Sequence, residues 1–178
     1  MKNKKEKEKK GHIKWTITIT ALSFLISVIF SLISELVIPN TFIAINIFLI
    51  LIFIFLGILF DIIGLAVTTA DEKVFNSMAS QKIKSAKKAL KLIKNKVKVS
   101  SLCNDVIGDI CGIVSGGCGL SLAIKISEIT NLNYLLLVVL ISAVISALTI
   151  GGKAMGKIIA LKNSNNIVKE ISRILNIT

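Results

Sequence analysis

Four stretches of this chain run for a membrane's width on Ile, Leu, Val, Phe, Ala and small residues, and lysine-rich segments lie before the first, between the second and third, and after the fourth. A hydrocarbon core takes about 20 apolar residues of helix to cross. Lipid offers no hydrogen-bond partner to a bare backbone, so such stretches must be helical. The spans read at 15–38, 42–67, 102–126 and 134–156. The fold class is therefore all-α: a polytopic helical membrane protein of about four transmembrane helices plus an amphipathic juxtamembrane helix. The 178 residues are 53% hydrophobic, a fraction that soluble domains also approach, so the segregation of those residues decides the class. Residues 1–14 are lysine-rich and precede an apolar run, as in a secretory signal. The run at 15–38 is too long for a signal's apolar region and no small-residue cleavage site follows it, so it reads as a retained span.

Charge sets the expected orientation. The net charge is +12, which could serve nucleic acid, but the lysines flank apolar spans. That placement suits anionic headgroups and topology instead, and no nucleic-acid partner is expected. The N-terminus at 1–14, the segment 73–99 and the tail at 162–178 hold nearly all the Lys and Arg, whereas the turns at 39–41 and 127–133 hold none. Lys125 is the one basic residue on the other side. Four spans put all three basic segments on one face, which the positive-inside rule makes cytoplasmic. The expected localisation is the cell membrane, multi-pass, with both termini cytoplasmic. In 73–99, Phe75, Met78, Ile83, Ala86, Leu90, Ile93 and Val97 recur at helical spacing, and lysines fill much of the rest. Such a helix is expected to lie along the membrane surface against anionic headgroups; a calmodulin-type or nucleic-acid target is the alternative.

At about 100° per residue, each span carries a polar or small stripe. Thr16, Thr20, Ser23, Ser27, Ser31 and Ser34 form the first; Gly57, Asp61, Gly64, Thr68, Asp71 and Glu72 the second. Asp105, Gly108, Asp109, Gly112 and Gly116 form the third, and Ser142, Ser146, Thr149, Lys153 and Gly156 the fourth. Small residues and hydroxyls are ordinary packing faces between membrane helices, and that reading covers the first span and the glycines. Carboxylates at membrane depth are costly and face a cavity, a partner or an ion. Asp71 and Glu72 also fit as plain interfacial charges, and Lys153 could satisfy one buried acid by an ion pair. The expectation is that the second and third stripes face each other across a cleft open to the cytoplasm. Acids, Thr hydroxyls and exposed carbonyls are the oxygen donors that Mg²⁺ takes. Cys103, Cys111 and Cys118 match no zinc or redox spacing and read as small buried hydrophobes. His12, the single histidine, reads as solvated. No nucleophile or catalytic motif is present, so no enzyme is expected.

From about 42 to 161 the chain resembles the transmembrane domain of the CorB/CorC and cyclin-M-like magnesium transporters. In that family a span ending in Ser-x-Ser-Glu precedes a basic helix; a span with Ile-Gly-Asn-Asn and one ending in Gly-Glu-x-x-Pro-Lys follow. Here Thr69-Ala70-Asp71-Glu72 stands at the first motif and 77–92 at the basic helix. Ile107-Gly108-Asp109 stands at the next, with Asn104-Asp105 as the other alignment of the paired Asn, and Gly152-Lys153-Ala154-Met155-Gly156-Lys157 stands at the last. The family's Glu is Lys153 here and its Pro is Gly156. The span at 15–38 is additional, and no room remains for the CBS domains that usually follow. The resemblance implies a homodimeric divalent-cation transporter or exchanger. Mg²⁺ would be held by Thr69, Asp71, Glu72, Gly108 and Asp109, with Asp61, Asn104 and Asp105 as further candidates and Lys153 as a gating or competing charge. A non-transporting assembly partner of a full-length transporter is the alternative.

Overall fold

The computed structural model describes the backbone of residues 2–37 and 42–177, and the side chains of 13–32 and 42–175. The turn expected at 39–41, Ser34 and His12 lie outside the residues so described. The chain forms α1 (Lys2–Val37), α2 (Ile43–Thr69), α3 (Glu72–Ser80), α4 (Lys84–Lys94) and α5 (Lys96–Ser100). A π-helical segment (Ser101–Gly108), α6 (Asp109–Thr130) and α7 (Tyr134–Ile177) complete it, with no strand among the described residues. Four helical stretches are long and apolar enough to cross a membrane: Ile13–Leu32, Ile43–Thr69, Lys96–Thr130 and Tyr134–Leu175. They correspond to the four expected spans.

The boundaries differ in instructive ways. Helix α6 continues through Thr130, so the expected loop at 127–133 shrinks to three residues. Asn131 ends α6 in the left-handed conformation at φ 55°, which Asn tolerates. Asn133 then caps α7 by accepting the Leu135 N–H at 2.9 Å, the ordinary service of an N-cap Asn. The tail forms a helix of its own, as expected: α7 is two helices that meet at a kink at Asn163, φ −120°, and the second packs Val168 into the core at the basic end instead of lying along the membrane surface. The expected single helix over 73–99 is three. Gln81 ends α3, Lys82 turns the chain at φ 59°, and α4 breaks from α5 at Asn95, whose Nδ2 donates to the Lys91 carbonyl at 2.9 Å. The apolar periodicity carries across these breaks without marking them, which is why it reads as one helix.

These elements make two layers. In the spanning layer, α2 packs between α6 and α7, and α1 lies against α6. Phe30 of α1 meets Phe53 of α2 edge-on at 6.1 Å. At the lysine-rich end, α3, α4 and the last turns of α7 close over the end of α2. Phe75, Ala89, Ile93, Ala66, Val67, Ala160 and Val168 form their shared core. The amphipathic face of the basic segment therefore packs on protein, with Ile83 and Val97 left exposed. Lys98 lies over the Trp15 ring at 5.0 Å, so the start of the first span reaches the end of the bundle where the central and C-terminal basic segments meet.

Candidate functional site

The polar residues gather where α2 passes the π-helical segment and α7. Glycine lets these helices meet. A Cβ on Gly57 would stand 3.3 Å from the Cys111 Cβ and 3.5 Å from the Gly108 carbonyl oxygen. A Cβ on Gly64 would collide with the Asn104 side chain. On the other side of α2, Gly156 of α7 leaves room for Ile62, whose Cγ1 would be 2.8 Å from an added Cβ.

Asp61 lies between Gly57 and Gly64 on the same face of α2, so helical register aims it at the π-helical segment between Gly108 and Asn104. It is only 7% exposed, and no hydrogen bond or ion pair reaches its carboxylate from any described residue. Asn104 donates its Nδ2 to Ser100 Oγ at 3.4 Å. Its Oδ1 is buried and has no donor. The glycine-lined junction thus holds one buried amide oxygen without a donor, at Gly64, and the α2 face that meets it carries an acid one turn away. A π-helical turn there is itself a common mark of functional sites, because its i→i+5 bonding disrupts the regular ladder.

The remaining expected ligands are dispersed. Gly108 is buried against α2 as expected, but Asp109 turns outward. Its side chain is 67% exposed, and one carboxylate oxygen lies 3.7 Å from the Lys153 ammonium. Asp105 is exposed as well. The 100° register that aligned Asp105, Gly108 and Asp109 does not hold through a π-helical segment. Gly108 points in and the two acids point out, so the expected facing acidic stripes, with a cleft between them, are not formed. Thr69 is exposed and donates its hydroxyl to the Leu65 carbonyl at 2.9 Å. Asp71 caps α3, accepting the Lys73 N–H at 2.9 Å, and Glu72 sits exposed in the first turn of α3. Since Gly108 abuts Gly57, and Thr69 is twelve residues further along α2, Asp109 and the Asp71–Glu72 pair are separated by roughly 18 Å at 1.5 Å per residue. One ion cannot bridge them. Among the described residues, no three His, Cys, Asp or Glu side chains come together to hold a metal ion.

Two contributors escape the sequence reading. Asn165 accepts the Asp71 backbone N–H at 2.9 Å and ties the α2–α3 corner to α7 just past its kink; the polar run 163–166 inside a helix was its only signal. Ser100 satisfies half of Asn104, and nothing in composition distinguishes it from Ser101. Comparison of the chain with known protein families, with curated proteins and with solved structures gives no match.

Proposed function

We propose that this protein is a membrane transporter or exchanger of a hard cation, with Mg²⁺ the first ion to test, and that the ion passes the Asp61–Asn104 junction. The observation that carries the reading is the 7% exposed Asp61, without a partner among the described residues, on the face of α2 that meets the donor-less Asn104 oxygen at Gly64. An ionised group at the bilayer centre costs about 2.5–3.5 kcal/mol even on the mildest scale, so such an acid is retained for a cation or a proton. Mg²⁺ keeps several waters and needs only one or two carboxylates from the protein; Asp61, Asn104 Oδ1 and π-segment carbonyls are a sufficient oxygen set. Thr69, Asp71 and Asp109 have other partners, Glu72 is exposed beside Asp71, and all four leave the proposed ligand set. Lys153 keeps a part: its ammonium would stand 3.8 Å from a Cβ on Gly108, where it holds Asp109 and repels a second cation.

The flanking basic segments support a reading with both termini in the cytoplasm under the positive-inside rule, and the cell membrane is the membrane proposed. A second copy seated over Asp105, Asp109, Gly112 and Gly116 would shield those exposed acids from lipid, which favours a homodimer. Growth rescue of a magnesium-transport-deficient bacterium tests the reading. Rescue by the wild type and loss of rescue by Asp61→Asn, at equal membrane abundance, are expected. A second reading, a non-transporting assembly partner, is favoured by one observation: Lys153 neutralises Asp109 where the resembling family carries an acid. Absence of rescue, with co-purification of a larger transporter, would establish it.

A further inference from the structure

At the lysine-rich end an open groove of about 360 Å³ lies between α4, α5 and the far end of α7, lined by Lys88, Lys91, Leu92, Asn95, Val99 and Leu175. Its floor is apolar and its rim cationic. Asn95 spends its Nδ2 on the Lys91 carbonyl, so the two ammonium groups are the rim's free donors. Glu170, the acid on the same end of α7, is held by Arg173 at 2.8 Å and does not compete for them. Val99 follows Lys98, which stacks on Trp15 at 5.0 Å, and Trp rings prefer the headgroup level of a bilayer. The groove thus straddles the boundary between headgroups and acyl chains.

We infer that this groove binds one phospholipid with an anionic headgroup, its phosphate between Lys88 and Lys91 and one acyl chain along Leu92, Val99 and Leu175. A free phosphate would leave the apolar floor wet, and a zwitterionic lipid would bring its own cation to the rim. A diffuse surface attraction would weight all lysines of α4 alike, whereas a built site weights two. The inference rests on the membrane reading of the spans and is independent of the cation junction. A bound lipid here would brace α4 and α5 against the far end of α7, about 15 Å along that helix from the α2–α3 corner that Asn165 ties.

The test uses the full chain in detergent and native mass spectrometry with phosphatidylglycerol, phosphatidylcholine or inorganic phosphate added. The wild type should retain one phosphatidylglycerol in preference to phosphatidylcholine and keep it in millimolar phosphate. Lys88→Gln with Lys91→Gln should weaken phosphatidylglycerol binding roughly thirtyfold. Lys87→Gln with Lys94→Gln, which removes the same charge from the same helix outside the groove, should change it by less than about threefold. Lys88→Arg with Lys91→Arg should bind as the wild type does. Equal weakening by the two Gln pairs, no preference between the lipids, or displacement by inorganic phosphate would each overturn the inference.

Discussion

The two halves of the bundle hold their helices by different means. Away from the lysines, α2, α6 and α7 meet mainly through Ile50, Leu122 and Ile145, with Gly119 a close glycine contact there, against Ile145, and an apolar groove of about 260 Å³ remains between Ile47, Leu51, Leu140 and Leu148. Toward the lysines the same helices meet through Gly57, Gly64, Gly108 and Gly156, with no room for a Cβ at several contacts. Lipid is as apolar as Leu, so large aliphatic side chains gain little by turning from lipid to one another. Close backbone approach through glycine gains dispersion contact and brings polar groups within reach. The tight half is therefore the half that holds Asp61, Asn104 and Lys153. Beyond it, the layer around Phe75 packs as soluble proteins do.

That contrast can be broken by mutation. Phe75 is 1% exposed, and Phe75→Ala should cost about 3–5 kcal/mol; Leu140→Ala, on the 55% exposed lipid side, should fall within about 0.5 kcal/mol of wild type. Thermal unfolding of the detergent-solubilised protein measures both, and equal losses would erase the distinction between the layers. Next in size, Gly57→Leu should destabilise by about 1–3 kcal/mol through overpacking. Gly117→Leu, where a Cβ meets nothing within 4 Å, should be neutral within about 0.5 kcal/mol. The smallest effect is expected of Lys153→Met. Its partner Asp109 is mostly exposed, so the loss in detergent should stay below about 1 kcal/mol. A larger loss would mean that Lys153 also serves Asp61.

The spans were legible because lipid imposes one rule, a long apolar helix, that composition alone reveals. The layer at the basic end was legible only as a face: Phe75, Ala86 and Ile93 are buried as their spacing foretells, yet the breaks at Lys82 and Asn95 leave the apolar period intact. The site was half legible. Asp61 was one of the acids at membrane depth that a packing face does not explain, yet it entered the expected ligand set only as a further candidate. Asp109 misled, because the π-helical segment rotates it away from the face that an α-helix would give it. The family resemblance then gathered Asp71 and Asp109 into one ligand set that the length of α2 forbids. Asn104 gained its importance from Gly64, a pairing fixed by helix register between segments forty residues apart.

The claim at the centre of this account is that Asp61, rather than Asp71, Glu72 or Asp109, meets the cation. The direct measurement is Mg²⁺-dependent thermal stabilisation of the detergent-solubilised protein, since an ion that binds the folded state raises Tm as its concentration rises. The wild type, Asp71→Asn and Asp109→Asn should all show a rising Tm, and Asp61→Asn should show none. A response lost in Asp71→Asn or Asp109→Asn and kept in Asp61→Asn would contradict the account.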